Sequence, residues 1–136
     1  MDPLKSISAI AASGLRAQGT RIKVVAENVA NADTRATTPG ADPYRRKTVS
    51  FAERMDDTIG ATLVEIDRVG RDEGQFTKVH DPAHPGADEN GLVKVPNVNA
   101  LLEMADMREA ARSYEANMNM FETGRRMRSR MLDLLK

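Results

Sequence analysis

The two histidines of this chain, His80 and His84, lie in one stretch with Asp81, Asp88 and Glu89, and imidazole with carboxylate is a donor set that can hold a divalent metal. The i,i+4 spacing of the histidines places them side by side only on a helix, and Pro82 and Pro85 forbid one there. A calcium loop aligned on Gly91 would start at Gly86 and end at Asn97, neither of which supplies the required carboxylate. Turn formation and contact with other chains explain these residues more simply, so no metal or other cofactor is expected. Serine, histidine and aspartate are all present, but without a nucleophile-elbow pattern or a phosphate-cradling glycine loop, and catalysis is not expected. Two basic strings, Tyr44-Arg45-Arg46-Lys47 and Arg125-Arg126-Met127-Arg128-Ser129-Arg130, could meet nucleic acid. The second interleaves methionine and serine at helical spacing, which marks a solvated helix face beside a seam, and nucleic acid is not an expected partner.

The elements that must carry these residues are set by two heptad patterns at opposite ends of the chain. Positions 4, 8, 11, 15, 18, 22, 25 and 29 include apolar Leu4, Ala11, Leu15, Ile22, Val25 and Val29. Positions 104, 107, 111, 114, 118, 121, 125, 128, 132 and 135 include Met104, Met107, Ala111, Tyr114, Met118, Phe121, Leu132 and Leu135. Alternating steps of three and four residues draw a narrow stripe along a helix, the seam that packs on another helix. After Phe121 the stripe is better continued by Gly124, Met127, Met131 and Leu134, which frees Arg125 and Arg128 from burial. Asp2 can cap the first helix with Pro3 in its first turn, and the pattern carries it to about Asn28. Gly14 and Gly19 each cost roughly 1 kcal/mol relative to alanine, so this helix needs packing to be firm. Asn97 or Asn99 can cap the last helix, which runs to the C-terminus.

Between the helices, Pro39, Pro43, Pro82, Pro85 and Pro96 with several glycines exclude another long helix. Lys47, Val49 and Phe51 alternate with polar neighbours as in a strand. Leu63 to Ile66 and Gln75 to Val79 flank a Gly70-to-Gly74 turn and predict a β-hairpin, and Leu92 to Val95 forms a further strand stopped at Pro96. Arg35 to Asp42 and Asp81 to Asn90 read as loops. The expected fold is α+β and elongated: an N-terminal axial helix in 1–31, a central β-hairpin and loop region in 32–97, and a C-terminal axial helix in 98–136. The two helices are expected to pair as an antiparallel coiled coil, Leu4, Leu15, Ile22, Val25 and Val29 packing on Met107, Ala111, Tyr114, Met118 and Phe121.

Composition agrees with a chain made to pair. Its 136 residues contain 4% aromatics, and the mean hydropathy is -0.49, poor material for a large core. Twenty basic and twenty acidic side chains cancel, which removes bulk attraction to nucleic acid or an anionic membrane. There is no cysteine, hence neither disulfide nor thiolate metal site. The N-terminus lacks the basic and apolar segments of a cleaved signal peptide, and no window is long enough to span a bilayer.

The first helix exits through Asn28-Val29-Ala30-Asn31-Ala32-Asp33-Thr34, a string whose side chains can end a helix and fix the next turn. The pattern Asn28-x-Ala30-Asn31-x-x-Thr34 after an N-terminal heptad helix resembles the signature of the bacterial flagellar axial proteins, which build rod and hook. The resemblance continues through Asp81-Pro82-x-His84-Pro85-x-Ala87-Asp88-Glu89-Asn90-Gly91, through Val95-Pro96-Asn97-Val98-Asn99, and through Ser113-Tyr114-x-Ala116-Asn117. It covers nearly the whole chain and is nearest to the proximal rod subunits, although Thr37 to Asp42 and the arginines 125, 126, 128 and 130 match less well.

The resemblance implies a structural subunit of the basal-body rod, exported unfolded and uncleaved by the flagellar type III apparatus and assembled into a tube beyond the inner membrane. It implies partners among other rod subunits, adapter proteins at the rod base and the export apparatus. A cytoplasmic helical adaptor or regulator using the same terminal pairing is the alternative. In either case the terminal helices are expected to be loose until neighbours cover them.

Overall fold

A computed structural model describes residues 2–136. Its elements follow in the order α1 (Pro3–Ala30), β1 (Lys47–Asp56), β2 (Ala61–Arg71), β3 (Thr77–His80), β4 (Leu92–Val95) and α2 (Ala100–Leu134). The fold is α+β, with long helices at both ends and small two-stranded sheets between them.

Local chemistry sets the helix boundaries. The Asp2 carboxylate accepts the Leu4 N–H at 3.0 Å, filling one of the bonds that the first turn of α1 leaves open. Asn99, not Asn97, caps α2: its Oδ1 accepts the N–H groups of Leu101 and Leu102 at 3.1 and 3.3 Å. Asn97 is used elsewhere, as described below.

Two compact units divide the described residues, each drawing on both helices. The first contains α1 up to Ile22, Val49–Arg68 and Arg108–Lys136. Within it the helices run antiparallel. A Cβ on Gly124 would lie 3.0 Å from Ser8 Oγ and 3.7 Å from Ile7; one on Gly14 would lie 2.5 Å from Asn117 Oδ1; one on Gly19 would lie 3.9 Å from the Tyr114 ring. Arg21 pairs with Glu109 at 3.5 Å. A second face of α1 meets the strands: Ser6 Oγ donates to the Ile59 carbonyl at 3.1 Å, and Ser13 Oγ accepts the Val64 N–H at 3.2 Å. Ala11, Ser13 and Ala17 are buried on α1, and Leu63 is buried opposite. The narrow seam expected from the heptads is therefore a wider face of small residues, because α1 serves both a helix and a sheet.

The second unit contains Lys23–Thr48 and Val69–Met107. Here β3 and β4 pair antiparallel, with Thr77 opposite Val95, Lys78 opposite Lys94, Val79 opposite Val93 and His80 opposite Leu92. Val24, Val25 and Val93 form its buried apolar centre. The loop before β4 is held by close approaches: Gly91 has φ +75°, and a Cβ on Gly86 would lie 2.3 Å from the Ala36 carbonyl oxygen.

All four strands expected from alternation are present, but their pairing corrects the expected hairpin. Residues 63–66 belong to β2, which pairs with β1, and residues 77–79 belong to β3, which pairs with β4. The turn that decides this is Asp56 to Gly60. The Gly60 N–H reaches the Asp56 carbonyl at 2.8 Å, Thr58 N–H reaches the Asp56 carboxylate at 3.0 Å, and Gly60 adopts φ +65°. Gly70 lies inside β2, and the Gly74 N–H is taken by Asp72 at 2.8 Å in a connecting loop.

Candidate functional site

A densely bonded polar group lies in the second unit, around Asn28 in the last turns of α1. Asn28 is 1% exposed, and its amide uses every hydrogen-bonding position it has. Nδ2 donates to the Lys47 carbonyl at 2.9 Å and to Glu103 Oε2 at 3.3 Å. Oδ1 accepts the Tyr44 hydroxyl at 2.7 Å and the Lys47 N–H at 2.9 Å. One side chain thus ties the exit of α1 to the start of β1 and to the first turn of α2. Glu103, 3% exposed, also receives the Arg46 guanidinium, and Arg46 reaches Asp72 at 3.6 Å. The Glu103 hydrogen bond, against the opposing effect of burial, raises the Arg46 pKa further. Asn97 closes the group: Oδ1 accepts the Arg46 N–H at 2.7 Å and Nδ2 donates to the Asp72 carbonyl at 3.0 Å. Burial raises the Tyr44 pKa, and the Lys47 hydrogen bond, 2.5 Å long, holds the Glu27 carboxyl below its usual value.

The other motif residues have local tasks. Asn31 Nδ2 donates to the Glu27 carbonyl at 2.9 Å, and Thr34 Oγ1 donates to Asn31 Oδ1 at 3.0 Å, which bends the chain away from the helix. Ala30 is the last residue of α1, and Pro96 is buried just before Asn97. In the first unit Tyr114 lies over Gly19, and Asn117, anchored to the Ser113 carbonyl at 2.8 Å, lies against Gly14. Sequence reasoning assigned Asn28 to the helix exit and missed its role as a hub. The signal was the run of buried-capable polar residues Tyr44, Arg46, Asn97 and Glu103, which hydrophobic periodicity does not register.

Of the ten seam residues, Leu4 and Val25 are buried, while Leu15, Ile22, Val29, Met107, Tyr114, Met118 and Phe121 are half-buried. Ala111 lies exposed; Ala110 beside it is 0% exposed. The inner row of α2 runs through Glu103, Ala110 and Asn117, one residue before the expected 104, 111 and 118, and meets the expected seam at Gly124. Gly14 and Gly124 allow the closest backbone approach, and α2 is turned so that short or polar residues occupy it.

The residues whose types suggested chemistry are held in structure. His84 Nδ1 accepts the Gly86 N–H at 2.9 Å. Asp88 Oδ1 accepts the N–H groups of Leu92 at 2.9 Å and Asn90 at 2.8 Å, bonds that hold its carboxyl below the ordinary value. Among the described residues no three histidine or carboxylate groups are placed to hold a metal ion. The first basic string is used internally: Arg45 stacks 4.2 Å over Phe76 and donates to the carbonyls of Asp72 and Gly74. The second is open. Arg125, Arg126, Arg128 and Arg130 are exposed on the last turns of α2 with Met127, Met131, Leu132 and Leu134, and Leu135 follows. Gly124 already packs at the first turns of α1, so these last turns extend beyond their helical partner. Among the described residues no helix is long and apolar enough to cross a membrane.

Comparison with known proteins agrees with this arrangement. Residues 9–35, most of α1 and its exit, match the family described as "Flagella basal body rod protein". Residues 89–134, including all of α2, match "Flagellar basal body rod FlgEFG protein C-terminal". The chain is 52% identical over its full length to the flagellar basal-body rod protein FlgC of Agrobacterium fabrum, covering 98% of that protein. It is 39% identical to FlgC of Salmonella typhimurium, with 96% of this chain and 97% of that one aligned. FlgC of Bacillus subtilis is 34% identical, with 93% and 95% aligned.

Proposed function

The chain belongs to the FlgC family of flagellar basal-body rod proteins, and we propose how such a structural rod subunit is completed by its neighbours. The exposed end of α2 is the docking element. Adjacent rod subunits, identical or homologous, cover Met127, Met131, Leu132, Leu134 and Leu135, and their acidic groups meet the arginines beside them. The helix-pairing residues Leu4, Leu15, Ile22, Val25, Val29, Met107, Tyr114, Met118 and Phe121 hold the two helices together for that contact. Asn28, Asn31, Thr34 and Asn97 hold the exit of the first helix and the start of β1 in place.

We further propose that the subunit has no catalytic role, needs no cofactor, leaves the cytoplasm through the flagellar type III apparatus without N-terminal cleavage, and enters the rod beyond the inner membrane. The export apparatus and adapter proteins at the rod base are then its other partners. The observation that carries the reading is the exposure of Leu134 and Leu135, 85% and 83%, at the end of a helix whose earlier turns are packed. Apolar side chains at about 1.5 to 3 kcal/mol each on full burial favour a covering partner.

The test replaces the parental rod gene with a Leu134→Asp, Leu135→Asp double variant. The purified variant is expected to unfold at the parental midpoint, since both side chains are exposed, while motility and recovery in basal-body fractions are lost. Normal motility would refute the docking role. The parental chain, recovered from basal bodies, should retain its N-terminal residues; a shortened chain would refute uncleaved export.

A further inference from the structure

Asn90-Gly91 is the chain's one asparagine-glycine bond, and it sits where the fold controls the reactivity of that pair. In an unconstrained chain the glycine backbone nitrogen attacks the asparagine Cγ readily, because no side chain on glycine hinders the approach. Here the Gly91 N–H donates to the Asp88 carbonyl at 3.0 Å. Asp88 Oδ1 holds the N–H groups on either side, Asn90 at 2.8 Å and Leu92 at 2.9 Å. The Gly91 carbonyl accepts the Asp81 N–H at 2.8 Å. Gly91 is buried at φ +75°, with Pro82 3.0 Å and His80 3.2 Å from where a Cβ would be, while Asn90 is exposed.

We propose that Asn90 is a modification site that the folded loop protects and the unfolded chain exposes. Gly91 N forms a bond to Asn90 Cγ, the Cγ–Nδ2 bond breaks, and ammonia leaves with the proton that Gly91 N gives up. A five-membered succinimide results. Water then opens either of its carbonyls, giving aspartate or isoaspartate at position 90, with no oxidation or reduction. Isoaspartate inserts the Cβ methylene of residue 90 into the backbone, between its Cα and the carbonyl bonded to the Gly91 nitrogen. The Gly91 N–H to Asp88 bond, the Asp81 N–H to Gly91 bond and the Leu92 N–H to Asp88 bond then lose their common geometry. In a chain that waits unfolded, the isoaspartate fraction therefore carries a lesion at the entry to β4: the loop cannot close on refolding.

The experiment incubates the full-length chain in native buffer and in concentrated urea, with isoaspartate at position 90 quantified by peptide mass spectrometry and isoaspartyl methyltransferase labelling. Formation in native buffer is expected to be slower by roughly tenfold or more, because the turn must first open. Asp88→Ala, which removes the acceptor of both flanking N–H groups, should speed the reaction in native buffer. Gly91 amide exchange in the parental chain gives a reading that needs no variant: protection in native buffer is expected. After ageing in urea and return to native buffer, the isoaspartate fraction should lack that protection. Equal rates in the two solvents, no reaction at Asn90 in urea, an unprotected Gly91 amide, or an isoaspartate chain that regains protection would each overturn the proposal.

Discussion

Replacing Asn28 by aspartate preserves the size of the side chain and removes only its two N–H donors. The Oδ1 acceptor for Tyr44 and Lys47 survives. The new oxygen faces the Lys47 carbonyl and the Glu103 carboxylate, which were 2.9 and 3.3 Å from the donor it replaces. Each buried acceptor left unpaired costs about 1 to 3 kcal/mol, and a second carboxylate beside Glu103 adds repulsion that little solvent screens, so a loss of about 3 to 5 kcal/mol is expected. Proximity to Glu103 raises the pKa of the introduced carboxyl in the folded state above its unfolded value. The deficit should therefore shrink on acidification, as the proton supplies a donor and removes the repulsion. Urea unfolding by circular dichroism measures the total, and amide exchange at Lys47, whose N–H is held by this side chain, locates it. A variant within about 0.5 kcal/mol of the parent with an unchanged Lys47 amide would refute the hub.

Gly14→Ala would press a methyl against the Asn117 amide and should lower stability by about 1 kcal/mol despite better helix propensity. With Asn117→Ala present the same change should become stabilising, and a thermal double-mutant cycle measures the reversal. Gly86→Ala meets backbone, the Ala36 carbonyl, and should cost about 1 to 3 kcal/mol, read from amide exchange across the loop before β4. Because its backbone hydrogen bonds lower the Asp88 pKa, that turn should be intact above the ordinary carboxylate value and open as pH falls through the lowered one; Leu92 amide shifts report it. Arg126→Glu should leave monomer unfolding unchanged and impair basal-body recovery or motility, measured by fractionation and swimming assays.

What could be read from the residues differs between elements. Both helices and all four strands are written in apolar spacing, capping residues and proline positions. Strand partners are not, because alternation gives the face of a strand and says nothing of its neighbour. The Asp56-to-Gly60 turn carries the missing information in its Asx bond and positive φ, and it sits between the two strands that pair. The row through Ala110 and Asn117 escaped an apolar search because a small residue and a polar one occupy it, Asn117 setting its side-chain amide against Gly14; only Gly124 stands in the expected stripe. Asn28 was visible as a motif residue, but its four hydrogen bonds reach three residues, Tyr44, Lys47 and Glu103, that lie 16, 19 and 75 positions away.

That separation has a consequence for timing. Asn28 and Glu103 stand 75 positions apart, and the bond between them closes only after the later residue is available. A polypeptide emerging N-terminus first, from a ribosome or from any narrow channel, must hold its first helix unlatched while most of its length is still threading through. Contacts of such long range form late, so the clasp works as a completion signal, locking only when the final helix has begun to arrive.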